Sequence, residues 1–155
     1  MSKTETKKDK MNIQQKLQLI QTELKAPKGQ TNKFGGYRYR SCEDILTALK
    51  PLLAQYTCTL AISDDIVEVG GRVYVKATAT LASTSSGDDY TINVNGFARE
   101  AETKKGMDDA QITGSASSYA RKYALNGLFA IDDTKDPDAT NDHGKSAPRK
   151  QVTQF

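Results

Sequence analysis

From Arg72 to Ala82 the chain alternates without a break. Val73, Val75, Ala77, Ala79 and Leu81 fall on one side, and Arg72, Tyr74, Lys76, Thr78 and Thr80 on the other. A period of two is the mark of a β-strand, whose successive side chains point to opposite faces. One apolar and one polar face fit an antiparallel sheet covered on one side only. Gly70-Gly71 supplies a hairpin turn before this strand, and Ser86-Gly87-Asp88 a turn after it. Cys58, Leu60 and Ile62 alternate with Thr57, Thr59 and Ala61 upstream, and Tyr90, Ile92 and Val94 continue the pattern downstream. The prediction is an antiparallel β-meander of three to four strands.

Helical spacing brackets the meander. Ile13, Leu17, Ile20 and Leu24 recur at steps of 4, 3 and 4, which predicts a helix from Met11 of about 14 residues, ended by Pro27. Residues 28–40, KGQTNKFGGYRYR, read as a loop centred on Gly35-Gly36. Ser41 stands three residues before Asp44, a capping-box pattern that opens a second helix burying Ile45, Leu49, Leu52 and Leu53. Pro51 should kink that helix or close its first part. After a charged loop at 100–106, Asp108 and Asp109 favour a third helix start, and Asn126-Gly127 a stop. Ala116, Tyr119 and Tyr123 form the stripe of this helix suited to the sheet, with Leu128, Phe129 and Ile131 as a last apolar patch. Helix, helix, three or four strands, helix: the fold class is α+β.

Composition sets the limits around that core. The 155 residues suffice for one domain. A hydrophobic share of 37% is below the roughly 45–50% of globular chains, so part of the chain should lie outside the core. The expected division is a disordered basic tail at 1–10, a folded domain at 11–133 and a disordered tail at 134–155. No apolar run approaches the roughly 20 residues that span a bilayer, and MSKTETKKDK has no apolar stretch behind its lysines. Cys42 and Cys58 are too few for a disulfide framework and are not spaced as a zinc pair. A soluble cytoplasmic protein without membrane, metal or cofactor is expected.

Charge points to a partner. Residues 1–40 carry ten Lys/Arg and three acids, a net of +7, against −3 for 41–99 and −1 for 100–155. Positive charge massed at one end suits a polyanion. For residues 1–10 alone a solubilising tail is the competing reading. In Lys33-Phe34-Gly35-Gly36-Tyr37-Arg38-Tyr39-Arg40, cations alternate with rings beside two glycines. A single nucleic-acid strand needs both, cations for phosphates and flat rings for unpaired bases, at about 1–3 kcal/mol per stacked base. The plainer alternative is tyrosines capping the core and solvated arginines.

On the third helix Ser115, Ser118 and Lys122 share one stripe with Arg121 alongside. Small side chains there let the helix lie flat on the strands, or let a phosphate backbone come close. A solvated amphipathic face would look the same. Asp132, Asp133, Asp136, Asp138 and Asp142 with His143 could hold magnesium in a nuclease. That segment has no apolar anchor, so a solvated acidic linker competes with it. There is no GxxxxGK[ST] phosphate loop for an ATP-driven motor, and the single histidine lies in the expected tail, so Ser-His or Cys-His catalysis has no base.

Two blocks carry a family likeness. Gly106-Met107-Asp108-Asp109-Ala110-Gln111, then Gly114-Ser115-Ala116-Ser117-Ser118-Tyr119-Ala120-Arg121-Lys122-Tyr123-Ala124-Leu125, followed by Leu128-Phe129 and Asp132-Asp133, resembles the signature of the Erf family. These are bacteriophage single-strand annealing proteins named for essential recombination function. Lys33-Phe34-Gly35-Gly36-Tyr37-Arg38-Tyr39, leading into Ile45-Leu46 and Leu49-Lys50-Pro51-Leu52-Leu53, resembles the family's N-terminal block. The likeness spans about residues 11–138. Ser117-Ser118 depart from it, standing where many members carry a bulkier residue and a threonine.

The resemblance implies a β-β-β-α annealing core and no enzymatic activity. It implies pairing of complementary single-stranded DNA without ATP, by a homo-oligomeric ring or filament. Arg121 and Lys122 would grip phosphates, and the Lys33–Arg40 segment would add cations and stacking rings. A host or phage single-strand-binding protein or exonuclease is a further expected partner, with Arg149-Lys150 and Phe155 as candidate contacts. The short tail implies that any partner-binding domain is reduced or missing. A passive strand-protecting module and a magnesium-dependent nuclease are the alternatives.

Overall fold

The computed structural model describes residues 10–103 and 105–131. The chain is α+β. Helix α1 (Ile13–Glu23) leads into a short ribbon, β1 (Gln30–Thr31) and β2 (Arg38–Tyr39), and then α2 (Cys42–Gln55). Strands β3 (Cys58–Val69), β4 (Arg72–Ser83) and β5 (Thr91–Arg99) precede α3 (Asp109–Leu128). The sheet is antiparallel in the order β3-β4-β5, three strands rather than four.

Register follows from the alternation. Ala77 pairs with Asp64 and Gly96, and Ala79 with Ile62 and Val94, so these side chains share the face turned to α3. Val75, Ala77, Ala79 and Leu81 are buried there, while Tyr74, Lys76, Thr78 and Thr80 stay on the open face. Gly70 and Gly71 both have positive φ, +59° and +77°, as a type I′ hairpin turn requires. β3 runs seven residues past Ile62, the last of its residues read from alternation.

α3 meets the sheet through small residues. Ala116, Ala120 and Ala124 are buried, whereas Tyr119 and Tyr123 are about half exposed. The expected Ala116–Tyr119–Tyr123 stripe is therefore corrected: alanines at every fourth position face the strands, and the tyrosines sit on the flank. A Cβ on Gly96 would lie 2.2 Å from the Ala120 carbonyl oxygen and 2.4 Å from the Ala124 nitrogen. This near-contact of two backbones sets the helix-to-sheet distance.

Each helix opens on a capping box, with Asn12 and Gln15, Ser41 and Asp44, or Asp108 and Gln111 exchanging side-chain and backbone bonds. α2 continues through Pro51 to Gln55, so the expectation that Pro51 closes its first part is corrected. Pro51 is exposed, while Leu49 is buried and Leu52 and Leu53 half-buried, so the packed face carries the helix past one missing bond. α3 likewise runs through Asn126-Gly127. Its end is set by Ala130 at φ +51° and by the Ile131 N–H donating to the Asn126 carbonyl, a Schellman-type close. Gly127 instead makes room for Val94, whose Cγ1 would lie 3.0 Å from an added Cβ.

α1 is tied to the strands by Lys16. Its buried ammonium donates to the hydroxyls of Thr57, Ser83 and Ser85 at 2.8, 2.7 and 2.8 Å. Ile13, Leu17, Ile20, Ile45, Leu49, Leu125 and Phe129 join the sheet in one apolar core. The expected tails at 1–10 and 134–155, Lys10 apart, lie outside the described residues, as do Asp132, Asp133, Asp136, Asp138, Asp142 and His143. No helix among the described residues is long and apolar enough to cross a membrane.

Candidate nucleic-acid interface

The segment read as a loop at 28–40 is a built ribbon. Gln30 pairs with Tyr39 and Thr31 with Arg38. Asn32 organises the tip: its Oδ1 accepts from the backbone N–H groups of Phe34 and Gly35 at 2.8 and 2.9 Å. Its backbone donates to the Tyr37 carbonyl and accepts from Gly36, and its side-chain amide donates to the Tyr37 hydroxyl at 2.8 Å. Gly36 has φ +65°, and a Cβ on Gly35 would lie 2.4 Å from the Tyr37 ring. The two glycines thus serve the turn and the seating of Tyr37.

That tip leaves Phe34 fully exposed and Tyr37 largely so, with Lys33 and Arg38 also in solvent. Tyr37 and Tyr39 meet edge to face, ring centroids 6.3 Å apart. Arg40 points the other way. It is only 2% exposed, and its Nε donates to the Ala26 carbonyl at 2.6 Å. Of the cations expected to meet DNA, Arg40 is the one this fold uses internally, to hold the chain between α1 and the ribbon.

α3 brings its own cations to the same place. The Lys122 ammonium lies 5.7 Å from the Tyr39 ring centroid and 5.0 Å from that of Tyr119, so rings from ribbon and helix flank one cation. Burial first, and the nearby Arg40 charge second, push Lys122 below the ordinary lysine range, with Cys42 opposing. Arg121 turns toward β3, where its Nε and Nη2 each reach an Asp64 carboxylate oxygen at 3.1 Å. The Ser117 hydroxyl donates to the same carboxylate at 2.5 Å. Partial burial pushes Asp64 up, but the bonds from Arg121 and Ser117 and the Arg121 charge outweigh it and hold the carboxyl below its usual range.

Of the remaining expected residues, Ser118 is exposed on the outer side of α3. Ser115 lies in a groove of about 370 Å³ between α3 and β5, together with Tyr119, Tyr123, Phe97 and Arg99. Tyr119 and Tyr123 run side by side, centroids 6.2 Å apart. Sequence reasoning missed Asp64, although a signal existed. Leu60, Ile62, Asp64 and Ile66 continue one alternating face, so an acid there faces the helix. The groove's rings were missed because Tyr119 and Tyr123 were assigned to the core.

The arrangement puts the two cations of α3, Arg121 engaged by a carboxylate and Lys122 flanked by Tyr39 and Tyr119, on one surface, while Lys33, Phe34, Tyr37 and Arg38 stand exposed on the ribbon. It holds no paired acid and base around a cleft, and among the described residues no three His, Cys, Asp or Glu side chains cluster as a metal would need.

Comparison with known proteins agrees with the two blocks. The profile of the ERF superfamily matches residues 13–154. The essential recombination function protein of Salmonella phage P22 is 55% identical over 136 residues, which cover 86% of this chain and 63% of that protein. The chain thus matches a little under two thirds of its relative's length. No solved structure matches it.

Proposed function

The chain belongs to the ERF superfamily, and we propose from that membership and the site geometry that it is an ATP-independent single-strand annealing protein of phage recombination. The observation that carries the reading is Lys122 held between Tyr39 and Tyr119. It joins the two sequence blocks at one surface and supplies both things an unpaired strand requires, a cation for phosphate and rings for bases.

In this reading Lys122 and Arg121 neutralise adjacent phosphates, Arg121 exchanging its Asp64 contact for one to the backbone. Lys33 and Arg38 extend the cationic track along the ribbon, with Phe34, Tyr37 and Tyr39 as stacking surfaces, and Ser115 and Ser118 approach the sugar–phosphate chain. Contacts to backbone and to ring faces do not depend on sequence, so the base edges stay free for pairing tests against a second strand. The β-β-β-α unit is the annealing core. Assembly is a homo-oligomeric ring or filament. A single-strand-binding protein or exonuclease of phage or host is the further partner, met through the tail.

Fluorescence anisotropy with a labelled oligothymidylate tests the binding half. Arg121→Ala with Lys122→Ala should weaken affinity tenfold or more and lower the slope of log affinity against log salt by about 1.4, the loss of two phosphate contacts on a single strand. Unchanged binding by a folded double variant would remove α3 from the interface.

A further inference from the structure

We propose that the uncovered face of the β3–β4–β5 sheet is a second contact surface for the same single strand, reached from Lys122 over the β5 edge. It rests on the strand-binding reading above and extends its footprint to residues outside both sequence blocks.

Register supplies the first observation. Tyr74 lies opposite Arg99, and Lys76 opposite Phe97, on neighbouring strands. Directly opposite side chains on one face stand about 5 Å apart, so two rings and two cations alternate in a checkerboard. Every side chain on this face is exposed or half-buried, and Phe97 is 50% exposed. No helix among the described residues covers it. Beside the checkerboard the surface is polar: Thr78 donates to Asn95 at 2.8 Å and Thr80 to Asn93 at 2.7 Å. Tyr74 and Phe97 are the rings among these polar side chains.

Charge selects the occupant. Arg72, Lys76 and Arg99 share this face with Asp65 as its single acid. None of the three cations has an ion pair among the described residues. A sheet face bearing exposed rings among cations is the arrangement by which sheets stack unpaired bases. A second copy of the chain would need broader apolar cover than Tyr74, Phe97, Val67 and the exposed Val69 at the hairpin end provide.

Continuity is the third observation. Phe97 and Arg99 also line the 370 Å³ groove beside α3, whose other wall is Ser115, Tyr119 and Tyr123, and Tyr119 flanks Lys122. A strand leaving Lys122 finds rings at Tyr119, Tyr123 and Phe97 before it reaches Lys76 and Tyr74.

The test is binding of oligothymidylates of increasing length by the full chain. Lys76→Gln with Arg99→Gln should weaken binding of the longer oligonucleotides fivefold or more and flatten their salt slope by about 1.4, leaving the shortest unaffected. Phe97→Leu should lose a similar factor, and Phe97→Tyr, which keeps the ring, should restore it. If the wild type binds and the Arg121/Lys122 variant is weak, yet both new variants bind long strands normally, this surface is excluded while the first interface stands. Normal binding with a smaller sedimenting species would make the face a contact between copies and overturn the proposal. A wild type that binds no oligonucleotide would remove the strand-binding reading, and this surface with it.

Discussion

Gly96 has no space for even one carbon, because the Ala120 carbonyl oxygen and Ala124 nitrogen of α3 already stand where a Cβ would go. Backbone cannot rotate aside as a side chain can, so Gly96→Ala must push α3 off the sheet. The expected cost is about 3 kcal/mol, the upper range for overpacked cores, read as a lower urea midpoint; an unchanged midpoint would contradict this contact. Asp64 gives a second residue-scale prediction. Its carboxyl is held below the usual range in the fold. Its contribution to stability is therefore complete above the unfolded value of about 3.9, and is lost as pH falls through the lower folded value. Asp64→Asn should flatten the acid limb of a stability–pH profile. It should also tighten oligonucleotide binding at neutral pH about two- to fivefold, since Arg121 then carries its charge uncompensated; weaker binding would show that Asp64 is needed to position Arg121.

At the scale of elements, what could be read from sequence was what local chemistry dictates. The period-two run at 72–82 became β4, and Ser41 with Asp44 became the capping box of α2. What could not be read depended on partners far along the chain. The ribbon at 30–39 exists because Asn32 gathers the tip, and Pro51 is tolerated because Leu49 and its neighbours are packed. The outward flank of α3 followed from the alanine stripe that Gly96 admits, which no periodicity within α3 alone distinguishes from the tyrosine stripe. Lys16 belongs here too, since three hydroxyls, at the start of β3 and the end of β4, hold one ammonium of α1. Lys16→Met keeps most of the volume but leaves those hydroxyls without their shared donor. We expect a loss of about 2–3 kcal/mol, measured by chemical denaturation, with α1 exchanging its amide hydrogens fastest. An unaltered stability would mean that the tie contributes nothing net.

For the molecule as a whole, the fold brings together what the sequence holds about 80 residues apart, the Tyr39 ring and the Lys122 ammonium. The composition of the site was legible in the two blocks; its convergence was not, because only the packing of α2 and the ribbon over α3 decides which ring meets which cation. Arg40 illustrates the limit, since nothing in the alternation of rings and cations marks it as the one turned inward. A surface that neutralises phosphates and stacks bases, leaving base edges free, should do more than coat a strand. Stopped-flow mixing of two complementary labelled oligonucleotides, without ATP or magnesium and across protein concentration, tests this most directly. Duplex formation should accelerate strongly as the strands approach saturation, and Arg121→Ala with Lys122→Ala should abolish the gain. Tight strand binding with no acceleration would contradict the annealing function and leave a protective coat in its place.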